Sequence, residues 1–192
     1  MSKSFRFLFL SLFSIYIFGS SFEGLYKVKM FPYSGSTEIY SSIEGETLFV
    51  EFKTKAALNT VKINNNAKLL LSPLKVVSIS SDYNKLGVKS SGHLLFSDTL
   101  IETYFSDAKT KNKSYTVKNQ PNDWLILPFF LRHYDKDRYI CSMIHGDFII
   151  DRKANDSTVE WSSTDKSIKV VFRDSAFIYL KAGKIEMTKV KN

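Results

Sequence analysis

Apolar residues in this chain recur at every second position, and that period limits what it can fold into more than any other feature. Tyr26, Val28 and Met30 alternate with Lys27 and Lys29; Leu48, Val50 and Phe52 alternate with Glu51 and Lys53; Val61 and Ile63 alternate with Lys62 and Asn64. The rhythm returns in Ile101, Thr103 and Phe105 around Glu102, in Tyr139, Cys141 and Met143 around Ser142, and in Ile168, Val170 and Phe172 around Lys169. Successive side chains of a strand point to opposite faces, so each segment has one face for a core and one for water. That is the signature of half-buried antiparallel sheet. Ser34-Gly35-Ser36, Glu44-Gly45-Glu46, Asn64-Asn65-Asn66, Ser90-Ser91-Gly92, Lys153-Ala154-Asn155-Asp156 and Ala182-Gly183-Lys184 supply turn chemistry between the strands.

Leu69-Leu70-Leu71 and Phe177-Ile178-Tyr179-Leu180 are apolar on both faces, which predicts strands covered on both sides. A sheet that curls around its own contents, or around a ligand, would do this. The expected fold is therefore all-β and mainly antiparallel, with a strongly curved or barrel-like sheet. One stretch breaks the period. Trp124-Leu125-Ile126-Leu127-Pro128-Phe129-Phe130-Leu131-Arg132-His133-Tyr134 is too long and too uniformly apolar for a two-faced strand. It predicts one short helix near residues 123–133, capped by Asn122 or Asp123 and packed against the concave face or mouth of the sheet. Pro128 suits the first turn of that helix if it starts near Leu127.

The first 21 residues read as an address. Lys3 and Arg6 precede an apolar and hydroxyl run from Phe7 to Phe18, and Gly19-Ser20-Ser21 follows. A basic end, a short apolar stretch and small residues at the cut are what a secretory signal requires, and cleavage is expected before Phe22. The run is shorter than a membrane-spanning helix needs. Residues 22–192 then form one β-rich domain of about 171 residues, long enough to enclose a core. The formal charge of +8 falls to about +6 without Lys3 and Arg6. The lysines are scattered singly with no basic run, so nucleic acid is not an expected partner. Cys141 is the only cysteine, which rules out an intramolecular disulfide and a lipid-bearing cysteine after the signal. The mature protein is expected to be periplasmic or extracellular, and not integral to a membrane.

Signals of catalysis are weak. His93, His133 and His145 lack metal-ligand spacing, and neither a metal nor any other cofactor is expected. The pairs His133/Asp135 and His145/Asp147 would meet only if a hairpin brought them together, which is the one route to a hydrolase; polar turns explain the same residues. Cys141 falls on the apolar face of its strand and reads as a small core residue. No nucleophile elbow and no phosphate-binding glycine loop is present.

The order of elements over residues 119–189 resembles the half-barrel proteins of the bacterial envelope, the lipoprotein-localisation carriers and related periplasmic domains. The likeness rests on Asp123, the apolar helix ending in Leu131-Arg132, and the strands expected at 138–144, 147–152, 158–161 and 167–173. Pro128 inside the helix departs from that pattern. The resemblance implies a concavity that accepts acyl chains, with Trp124, Phe129 and Phe130 in its lid. The aromatic surplus after Asn119 agrees with a ligand cavity or with a packed core. The expectation is a non-enzymatic envelope protein binding a lipid or acyl chain. Trp124, Phe129 and Phe130 would form the wall, and Arg132 the rim cation for an anionic head group. The alternative is a structural or interaction module with a filled core that binds an envelope protein partner.

Overall fold

The computed structural model describes residues 22–30, 33–56, 60–106 and 110–190. The expected signal peptide, residues 1–21, lies outside them. Two meanders make up most of the described residues. The first comprises β1 (Gly24–Met30), β2 (Tyr33–Glu44), β3 (Thr47–Ala56), β4 (Val61–Leu71), β5 (Leu74–Lys85), β6 (Val88–Phe96), β7 (Leu100–Phe105) and β8 (Lys113–Thr116). After β9 (Gln120–Pro121) and the helix α1 (Leu127–His133), the second comprises β10 (Arg138–Met143), β11 (Gly146–Ala154), β12 (Thr158–Ser163), β13 (Ile168–Arg173), β14 (Ala176–Ala182) and β15 (Ile185–Lys189).

The meanders join where β1 pairs with β15, giving one 15-stranded sheet in the order β8-β7-β6-β5-β4-β3-β2-β1-β15-β14-β13-β12-β11-β10-β9. Every pairing is antiparallel except the short one between β9 and β10. The sheet is curved and not closed. β9 is the last strand in that order and β5 the fourth from the other end, so on a flat sheet they would lie roughly 50 Å apart. Yet Gln120 Nε2 donates to the Leu74 carbonyl at 2.7 Å. Only a sheet rolled back on itself brings those atoms together.

The inward face carries the predicted alternation: Tyr26, Val28, Ile39, Leu48, Val50, Phe52, Ala67, Leu69, Tyr139, Cys141, Ile150, Trp161, Val170 and Met187 are all buried. The doubly apolar segments are not covered on both sides. In β14, Phe177 and Leu180 both point inward although three positions apart, because a bulge opposite Val171 and Phe172 leaves Ile178 as an extra residue. Ile178 and Tyr179 are only half-buried. A second irregularity after Lys68 does the same in β5: Leu69 faces Val76 while Ala67 faces Ile79, and all four are buried. The Phe177–Leu180 run thus records a bulge rather than a second covering layer, whereas Leu69-Leu70-Leu71 lies in β4, opposite the bulged strand, with Leu69 buried and Leu70 and Leu71 half-buried.

Three expected turns lie inside strands. Gly35 sits in β2 because the backbones of β2 and β3 approach so closely that a Cβ there would fall 2.1 Å from the Lys55 carbonyl oxygen. Asn65 is in mid-β4, accepting a hydrogen bond from Ser81 Oγ at 2.6 Å across the strand pair. Gly92 lies in β6 opposite Phe105, whose ring would touch a Cβ there at ordinary contact distance, 3.4 Å. The turns at 45–46 and 183–184 fall where expected, with Gly45 and Gly183 both at positive φ; Lys153 and Ala154 belong to β11, and that turn follows them.

The helix begins at Leu127 with Pro128 in its first turn, as its position predicts. Its cap differs from expectation. Ile126 occupies the N-cap without a side-chain bond, while Asp123 acts one turn earlier, accepting from Leu125 N through Oδ1 at 2.9 Å. Residues 125–131 are buried without a gap, and the segment fills the concavity as a plug. Phe129 stacks on Phe22 at 4.1 Å between centroids and meets Phe52 edge-on at 5.7 Å; Phe130 stacks on Tyr139 at 4.6 Å. Full burial of each aromatic contributes about 1.5–3 kcal/mol. Replacing Phe129 by Ala should cost about 3–5 kcal/mol in urea unfolding, because no neighbour can collapse into the space between two rings. Gly35→Ala, which presses a methyl into backbone, should cost about 1–3 kcal/mol by the same measurement.

Candidate functional site

The plug is anchored at its start by buried polar groups. Asn122, 1% exposed, donates its backbone N to the Ser142 carbonyl at 2.9 Å and its side-chain Nδ2 to Tyr139 Oη at 2.9 Å. Its Oδ1 accepts from Asp123 N at 2.8 Å, so the amide is satisfied in place rather than by water. Ser142 Oγ accepts from Asn119 N at 3.1 Å and donates to Asp147 Oδ1 at 2.5 Å. Burial pushes the Asp123 carboxyl up to about 6, against the opposing pull of Leu125 N–H and of His145. Burial likewise drives the Cys141 thiol up to about 12, which leaves it an unreactive core group.

At its other end the plug reaches a small hollow of about 100 Å³, where Arg132 lies with Leu131, Tyr134, Arg152, Trp161 and Phe172. Arg132 is half-buried and desolvation lowers its pKa. Arg152 is held by Asp137 at 3.0 Å. Arg132 and His133 also lie in the last helical turn, where a positive charge complements the exposed carbonyl end.

A larger opening lies at the seam where the rolled sheet meets itself. Pro73, Leu74, Val76, Phe96 and Pro121 supply its apolar lining, with Lys75, Asp98 and Gln120 among the polar groups, and it holds about 420 Å³. That volume is within the range of small-molecule sites. Gln120 bridges the gap through Leu74.

Phe129 and Phe130 occupy the concavity with no exposure, so they fill it rather than line a void. Trp124 is half-buried against the same core, and Arg132 sits at the plug's rim. His133, lowered in pKa by burial and by Arg132, and the exposed Asp135 precede β10, whereas His145 and Asp147 follow it. The six residues of β10 separate the two pairs by about 20 Å, so they form no common cleft. Among the described residues no group of three or more His, Cys, Asp or Glu is placed to hold a metal, and no helix is long and apolar enough to cross a membrane. The seam residues carried no signal beyond the alternation of Leu74 and Val76, because their meeting with β9 depends on curvature.

Asp123 gives a test of this geometry. Its folded-state pKa near 6 exceeds the ordinary 3.8, so the native state holds the proton more tightly. The stability it contributes is full below about pH 4, declines as pH rises towards 6, and is absent above that. Asp123→Asn keeps an acceptor for Leu125 N–H without the titration. Its melting temperature should therefore gain on that of the parent as pH rises from about 4 to 7. Comparison of the chain with known protein families, with characterised proteins and with solved structures finds no match.

Proposed function

We propose that this chain is an exported, non-enzymatic envelope protein that binds a hydrophobic ligand, a lipid or acyl chain, at the seam and concave face of its sheet. The observation that carries this reading is the unclosed seam, about 420 Å³ in volume and walled by Leu74, Val76, Phe96 and Pro121. A guest there would lose water from its apolar surface at about 25 cal/mol per Å². It would extend into the concavity by displacing part of the plug, which is bound to the sheet chiefly by apolar contacts that an acyl chain reproduces. Lys75 at the seam and Arg132 at the far rim would pair with an anionic head group.

A second reading, a structural or protein-interaction module, is favoured by a different observation. The concavity at rest is full, with residues 125–131 buried throughout. On that reading the outside of the sheet binds, and β8, the terminal strand beside β7, is the edge available for pairing with a partner's strand.

Titration with an environment-sensitive fluorescent fatty acid separates the two. Saturable binding that Phe96→Glu weakens tenfold or more, about 1.4 kcal/mol, is the expected result for the seam. Absence of both saturable binding and co-purified lipid would remove the ligand reading and leave the interaction module.

A further inference from the structure

Strand register assembles a row of lysines that the sequence scatters. On the outer face Lys27 stands opposite Ser36, Ser36 opposite Lys55, Lys55 opposite Lys62, Lys62 opposite Asn84, and Asn84 opposite Lys89. All four lysines are exposed. The row crosses β1 to β6 without an acidic residue and spans about 24 Å. Lys55 and Lys62 directly face each other, an arrangement that opposes folding. Glu38 and Asp82 lie in the next row inward, where Lys53 stands between them.

The row ends at a protruding hairpin. β5 and β6 are joined by Leu86-Gly87, both at positive φ. Leucine is an unfavourable residue in that conformation, where Asn or Gly is usual. Leu86 is 76% exposed and Val88 72%, more than any other large apolar residue described. Lys85 and Lys89 flank them, both exposed. Behind the tip, Lys62, Asn64, Asp82, Asn84, Lys89 and Ser91 border a polar hollow of about 420 Å³.

We propose that this rim, the Lys27, Lys55, Lys62 and Lys89 row with the Leu86 and Val88 tip, docks on an anionic lipid bilayer. Charge complementarity selects the occupant: a row without acids meets phosphate head groups. The tip selects lipid over nucleic acid, since two aliphatic side chains on a convex turn insert between acyl chains and find nothing equivalent on a phosphate backbone. The lysine stems are long enough to lie along the surface while their ammonium groups reach it. This contact is separate from the seam and does not require it.

Flotation of the purified protein with vesicles tests the proposal. Binding is expected to vesicles of phosphatidylcholine with phosphatidylglycerol, not to phosphatidylcholine alone, and to weaken in about 0.5 M salt. Lys55→Glu with Lys62→Glu should reduce it on the order of tenfold or more. Leu86→Asp should reduce it several-fold while the salt dependence remains. All three side chains are exposed, so thermal unfolding should be nearly unchanged, which separates lost docking from lost folding. Equal binding to neutral vesicles, no binding to either, or anionic binding insensitive to the lysine pair would overturn the proposal. So would heparin binding as strong as vesicle binding and indifferent to Leu86→Asp.

Discussion

The rolled sheet depends on what lies inside it. A sheet whose last strand does not pair with its first has no ladder of hydrogen bonds to hold its curvature, and here that work falls to the apolar segment at residues 125–131. Phe129, between Phe22 and Phe52, touches the first meander; Phe130, against Tyr139 and Tyr134, touches the second. One turn of helix thus ties together strands that are distant in sheet order, and the sheet's concavity is the shape of the plug. The bulges in β5 and β14 serve the same end by turning two nearby apolar residues inward on one strand.

Apolar contacts alone would let such a plug slide. Its register is set by the hydrogen bonds of Asn122, which reach both the backbone and a side chain of β10. Because Asn122 is buried, a shifted plug would leave donors unsatisfied, and that penalty is steeper than the loss of a few contacts. Asp123 extends the anchor by holding Leu125 N–H. The polar start and the greasy body divide the labour between position and affinity.

The openings of the fold lie at the boundaries of the sheet. The seam is where curvature brings two non-adjacent arms together without pairing them, and a gap with apolar walls is the consequence. The lysine row lies on the outer face, where strand register sets which residues meet. The pairs His133/Asp135 and His145/Asp147 lie apart for a related reason. They sit at opposite ends of the six-residue strand β10, and a strand cannot fold its ends together.

The strands, the short helix starting beside Pro128, the inward Cys141 and the plug's apolar character were legible in the sequence, because each follows from side-chain period or from local backbone chemistry. Trp124, Phe129, Phe130 and Arg132 were legible as an apolar segment with a terminal cation. Whether they line a void or fill one was not. Gly35, Asn65 and Gly92 read as turns because their local preferences favour turns, and only the close approach of β3, the bond from Ser81 and the pairing with Phe105 explain their place in strands. The meeting of Gln120 with Leu74, and the alignment of Lys27, Lys55, Lys62 and Lys89, depend on register and curl. Those are decided by packing between residues far apart in the chain, whereas the period of a strand is written in its neighbours. The sequence by itself therefore determined that this protein is curved antiparallel sheet around an apolar helix, and the tertiary structure alone decided which surfaces that sheet leaves open.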